Sequence, residues 1–195
     1  MQKRNLMLKA ATALVVGSLA LAGCTTTPNT PDNSATNASK RQSINASVDA
    51  TMSRLYATVP GSRELVGKAR GVLVFPSVIQ AGLIVGGQYG EGALRVGGST
   101  VGYYSTATGS LGLQAGAQSK AIVFLFMTQE ALDKFRSTDG WSAGGDASVA
   151  LVKMGANGAI DTNTATSPVE VFVLTNAGLM GDLSLQGTKV SRLNI

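Results

Sequence analysis

The chain has 195 residues, 16 of them basic and 11 acidic, with no histidine and a single cysteine, Cys24. Without an imidazole, Ser-His-Asp and Cys-His catalysis are excluded, as are zinc sites built on histidine. The formal charge of +5 is not gathered into the clustered basic stripe that nucleic acid demands, so no nucleic-acid partner is implied.

The first segment reads as a leader. Lys3, Arg4 and Lys9 precede an apolar run from Ala10 to Ala22, broken only by Thr12, Gly17 and Ser18. Spanning a bilayer takes about 20 apolar residues, so this run is too short to cross as a helix. It ends in Leu21-Ala22-Gly23-Cys24, which resembles the lipobox of bacterial lipoproteins. That resemblance implies cleavage before Cys24 and acylation of its sulfur, and so a lipid anchor (palmitate-type chains) in place of a spanning helix. It also removes the only thiol from chemistry. Thr25 in place of Asp after the cysteine implies, by the sorting rule of such lipoproteins, delivery to the outer membrane; the domain then faces the periplasm, with exposure at the cell surface as the alternative. Residues 1–23 are then the signal peptide. Their loss takes three basic residues from 16 and leaves 13 against 11 acidic ones, a balance of +2. Residues 24–40 are Thr, Asn, Ser, Pro and Ala with little to bury, and read as a disordered tether. One domain over 41–195 remains, long enough for a single core.

Within it, Ile44, Val48, Met52, Leu55 and Val59 recur at helical spacing, predicting a helix over 41–59 that ends at Pro60-Gly61. Its apolar stripe suits packing on a sheet; an interfacial position on a membrane is the alternative. Ser62 is a candidate cap for a short helix through Ala69. From Gly71 the pattern becomes strand-like: 71–75 stopped by Pro76, then 78–87, a turn at Gly90-Glu91-Gly92, and 93–96. Next come 101–105, a turn at Thr108-Gly109, alternating residues 110–119 and an apolar strand 121–127. A helix over 129–136, capped by Thr128 with a Glu130–Lys134 pair outside, interrupts them. Strands resume over 147–154, turn at Asn157-Gly158, and continue through 169–174, 179–186 and 188–193. The expected class is α+β: a strand-dominated antiparallel sheet, curled or closed into a barrel, with N-terminal helices and one inserted helix.

No catalytic, metal or cofactor site emerges. The glycine clusters lack the order and the following helix of a phosphate loop, and the acidic residues are scattered singly. Gln114 and Gln118 share one strand face, as a hydrogen-bond ladder or as ligand contacts. Trp141, among Gly140, Gly144 and Gly145, reads as a core anchor. Lys68, Arg70, Arg95, Lys120 and Arg136 make an anion-binding patch only if the fold unites them.

Segments 68–76 (Lys-Ala-Arg-Gly-Val-Leu-Val-Phe-Pro), 86–92 (Gly-Gly-Gln-Tyr-Gly-Glu-Gly) and 112–118 (Gly-Leu-Gln-Ala-Gly-Ala-Gln) are similar to the SYLF domain. So are Ala131 to Phe135, Gly140-Trp141 with Asp146, and Gly178 to Met180 followed by Ser184 to Gly187. The resemblance spans 41–195 and supplies no catalytic residue. It implies binding of membrane lipid, by anionic head group or acyl chain, through the N-terminal part of the domain at about 41–70. Lys68 and Arg70 are the candidate head-group contacts, with Gln114 and Gln118 as further ones. An envelope protein partner is the alternative. A carboxylate-dependent hydrolase is a third reading, which requires two convergent acids such as Asp146 and Glu91.

Overall fold

The computed structural model describes residues 33–82, 85–111, 118–154, 159–160, 166–180, 185 and 187–195, and Asn33–Ile195 form one compact unit. The elements in order are helices α1 (Asn33–Thr58) and α2 (Ser62–Lys68), strands β1 (Gly71–Gly82), β2 (Val85–Val96), β3 (Ser99–Leu111) and β4 (Gln118–Phe126), and helix α3 (Gln129–Ser137). Strands β5 (Trp141–Ser142), β6 (Val149–Leu151), β7 (Val169–Thr175), β8 (Gly178–Leu179) and β9 (Lys189–Leu193) complete the described chain. One sheet runs in the order β5-β9-β3-β2-β1-β4-β7-β6, with β8 on β7. It curls into an open half-barrel, and the class is mixed α+β with strand dominant, as expected.

Curling divides the sheet into two faces. The inner face carries Leu73, Phe75, Ile122, Phe124, Phe126, Val171 and Val173 and is closed by Leu132 and Phe135 of α3. Trp141 stands in this core, 1% exposed, with ring centroids 5.5–6.2 Å from Phe124, Phe126 and Phe135. The core-anchor reading of Trp141 therefore holds. The outer face carries Val74, Ala93, Val123, Leu125 and Phe172, and α1 lays Ile44, Val48, Met52 and Leu55 on it. The stripe of α1 is thus spent on the sheet and is not available to a membrane surface.

Several boundaries differ from the sequence reading. Helix α1 starts at Asn33, so residues 33–40 extend a helix where a tether was expected. They have no apolar stripe to reveal them, and the clearest tie is the ion pair of Lys40 with Glu91 at 2.8 Å. Ser62 caps nothing: it is buried, and its hydroxyl donates to the Leu55 carbonyl at 3.2 Å. Pro76 does not stop a strand but sits in a register shift within β1, where both neighbouring ladders slip. Gly90-Glu91-Gly92 lies inside β2, opposite that bulge. A Cβ on Gly92 would stand 2.0 Å from the Val74 carbonyl oxygen, so glycine here admits a close backbone approach and makes no turn. Thr108-Gly109 is likewise within β3. The tight turn is Gly97-Gly98, with φ of 58° and 84°, the two positive values a primed two-residue hairpin requires.

Thr128 caps α3, accepting from the Ala131 N–H at 3.2 Å. Lys134 reaches the Asp146 carbonyl, not Glu130. Strand β6 joins β7 in parallel, an exception to the antiparallel expectation. Strand β9 pairs with β3 and β5, not with its predecessor, because the curl brings the chain end back to the β3 edge. The Asn157-Gly158 turn and most of the 110–119 alternation lie outside the described residues.

Candidate functional site

The outer layer leaves a recess where α1, α2 and the β2–β3 hairpin meet, a cavity of about 440 Å³, within the size range of small-molecule sites. Each wall has a local cause. Pro60-Gly61 breaks the helical path, with Gly61 at φ 85°, and α2 runs only to Lys68. Ala69 then turns extended, and the Arg70 N–H donates to the Phe126 carbonyl at 2.8 Å, which delivers Arg70 to the rim as the chain enters the sheet. The Gly97-Gly98 turn sets Arg95 at the end of β2. Met52, Tyr56, Val66 and Val72 give the recess an apolar floor.

Arg95 is held from several sides. Its Nη1 donates to Asp49 Oδ1 at 2.7 Å and its Nη2 to the Asn45 carbonyl at 3.5 Å, while Nε is buried without a partner. The Arg95 hydrogen bond holds the Asp49 carboxyl below its ordinary value. Asn45 fixes the helix to the hairpin: its Oδ1 accepts from Thr100 Oγ1 and its Nδ2 donates to Tyr103, each at 2.9 Å. Arg63 lies 4.2 Å over the Tyr56 ring, a cation–π contact that orients the phenol. Burial raises the Tyr56 hydroxyl above its usual value. Among the described residues no carboxylate pairs with Arg70. The recess therefore offers one compensated guanidinium, one uncompensated guanidinium and an apolar floor, which suits an anion that carries an apolar part.

The other expected residues are placed differently. Lys68 pairs with Glu64 at 2.9 Å on the exposed face of α2 and does not line the recess. Lys120 is on β4 opposite Val78, on the inner face, where burial lowers its pKa, and Arg136 is in the last turn of α3. Of the five basic residues, the fold unites Arg70 and Arg95 at this recess. Gln114 lies outside the described residues, as does Cys24, and of Gln118 only the backbone pairing with Gln80 is described. Asp146 accepts from the Ser142 N–H at 2.6 Å and returns its own N–H to the Ser142 carbonyl, which closes the loop after β5. Glu91 is bound to Lys40 and to the Tyr89 hydroxyl, each at 2.8 Å. The two acids are committed to separate structural tasks and do not converge.

Sequence reasoning missed Asp49, Met52 and Tyr56, and left Arg95 among the undecided cations. The Gly97-Gly98 pair between apolar Val96 and Ser99 was the signal that marks a hairpin end beside Arg95.

Residues 107–194, which contain β4, α3 and every later strand, match the model of a family described as Ysc84, Las17-binding protein actin regulator. Over that stretch the chain is similar to the Ysc84/SYLF family, consistent with the resemblance read from the sequence. No curated protein matches it. The description given to this family names binding and regulation, not a reaction. The recess is built from residues upstream of the matched stretch, so it stands on its own geometry. Among the described residues no helix is long and apolar enough to cross a membrane.

Proposed function

We propose that this protein is an outer-membrane lipoprotein, anchored through acylated Cys24, whose SYLF domain binds an anionic membrane lipid without catalysing a reaction. The observation that carries the binding half is the recess, where Arg70 and Arg95 stand over Met52, Tyr56 and Val66. A phosphate or carboxylate head group meets the guanidiniums and the first methylenes of its chain meet the floor. The absence of histidine and the separate engagement of Asp146 and Glu91 support a non-catalytic role. The leader, the lipobox match and Thr25 support the anchor and its destination.

Two measurements test this. Calorimetric titration with monomeric dihexanoyl-phosphatidylglycerol is expected to show binding that weakens with salt, since exposed charges are screened beyond about 8 Å at physiological ionic strength. The choline analogue is expected to bind less. Arg70→Ala with Arg95→Ala should weaken the anionic lipid by about tenfold or more, the loss of a charge-assisted contact, while Lys68→Ala leaves it unchanged. Full affinity in a folded double variant sinks the site. For the anchor, Cys24→Ala should abolish incorporation of labelled palmitate and release the protein from the membrane fraction.

A second reading, a protein partner held at the envelope, is favoured by the family description, which names Las17 binding. It predicts saturable capture of one envelope protein and no affinity for either lipid.

A further inference from the structure

Among the described residues, helices cover only part of the outer face of the sheet. Helix α1 lies over the rungs through Val74, Ala93 and Val123, and its Lys40 reaches as far as Glu91. One rung beyond, the register aligns Ser119 (β4), Ile79 (β1), Tyr89 (β2), Ala107 (β3) and Lys189 (β9) across five strands. Cross-strand partners share a face, and these five are the continuation of the face that α1 covers. Ile79 is 54% and Tyr89 52% exposed, directly opposite each other, with small side chains on both sides.

The chemistry of this rung is specific. Its large groups are an aliphatic side chain and a phenol whose hydroxyl is tied to Glu91. Lys40 neutralises that carboxylate, while Lys189 has no carboxylate partner among the described residues. The local balance is therefore apolar plus cationic, the composition of a membrane-interface contact. The two large side chains rise from a floor of Ala107 and Ser119, and a fluid bilayer surface yields around such knobs.

We infer that this uncovered end of the sheet is the surface that the domain lays on an anionic bilayer, with Ile79 and Tyr89 entering the interface and Lys189 meeting the head groups. The inference rests on the anchored reading above, and the chain length permits it. Eight residues lie between Cys24 and Asn33, where α1 starts, and the nine steps span at most about 30 Å when extended. The recess lies at the other end of the same strands, about 20 Å from Ile79 at strand rise, so substitutions separate the two sites.

The test uses the full chain reconstituted into phosphatidylglycerol-containing vesicles whose acyl chains are brominated. Trp141 is the sole tryptophan and is buried, so the parent protein is an unquenched control. Tyr89→Trp, and independently Ile79→Trp, is expected to give blue-shifted emission that brominated lipid quenches. Adding Lys189→Glu should reduce that quenching. Trp reporters at 79 and 89 that stay unquenched in protein that co-floats with the vesicles overturn the inference and turn this face over to a protein partner. Protein that fails to co-float overturns the anchored reading and this inference with it. Quenching that persists with Arg70→Ala and Arg95→Ala supports the separation of the two sites.

Discussion

The two faces of the sheet are built on opposite rules. The inner face is closed by α3 and filled with apolar side chains, four of whose rings meet edge to face or tilted. Among the described residues, two of its polar atoms, Thr106 Oγ1 and Trp141 Nε1, are buried without a partner. The outer face is covered by helices over part of its length only. There the polar groups are bridged between elements, as in Asp49–Arg95 and Lys40–Glu91, and the incomplete cover leaves a recess and a bare rung. The contrast assigns stability to the inside and recognition to the outside: a packed interior has no room for a ligand, whereas an unfinished layer does.

Substitutions inside the curl should cost most. Trp141→Ala removes the ring on which Phe124, Phe126 and Phe135 converge, and is expected to lose about 3–5 kcal/mol, read by urea unfolding followed by circular dichroism. Gly92→Ala should follow at about 1–3 kcal/mol, because its Cβ would collide with the Val74 carbonyl, backbone that cannot swing aside. A loss near zero at either position would mean that the inner face is looser than its packing implies.

Outer polar groups should cost little or even gain. Glu170 is buried on the outer face opposite Leu125, and burial raises its carboxyl above the ordinary value, although the Ser167 N–H opposes the shift. A raised acid is protonated more readily folded than unfolded, so its contribution favours the fold at low pH and is lost as pH rises through the unfolded and then the folded value. Glu170→Gln should flatten that decline and leave the protein at least as stable at neutral pH; an unchanged pH profile would show the carboxyl to be solvated. Glu91 runs the other way. Burial pushes its carboxyl up, but the hydrogen bonds from Lys40 and Tyr89 outweigh it and the net shift is downward. Its contribution is present above the unfolded value and is lost as pH falls. Because Lys40 and Glu91 are partly exposed, Lys40→Ala should cost no more than about 0.5 kcal/mol and less in high salt. A cost rivalling that of Trp141→Ala would break the contrast between the faces.

The elements that the sequence revealed are those whose signal is local. The stripe from Ile44 to Val59, the Thr128 cap, the apolar run of β4 and the burial of Trp141 each follow from spacing or side-chain type within a few residues. Pro76 and the Gly90-Glu91-Gly92 segment misled for the opposite reason. Each reads locally as a break, yet β1 and β2 run on because the bulge at Pro76 fits the glycines across from it, and that pairing joins residues far apart in sequence. Residues 33–40 were missed because a helix without an apolar face has no periodicity to read.

The same division holds for the candidate sites. By itself the sequence excluded imidazole chemistry, revealed the strand-dominated class and showed a likeness to the SYLF domain. It also narrowed the basic candidates to five. Only the tertiary structure chose among them, because a recess is a relation between surfaces: the Pro60-Gly61 break, the Gly97-Gly98 turn and the crossing of α1 bring Arg70 to Arg95, while Lys68 stays with Glu64. The bare rung of Ile79, Tyr89 and Lys189 is likewise a product of register and curl, since its members are neighbours only through backbone hydrogen bonds between strands.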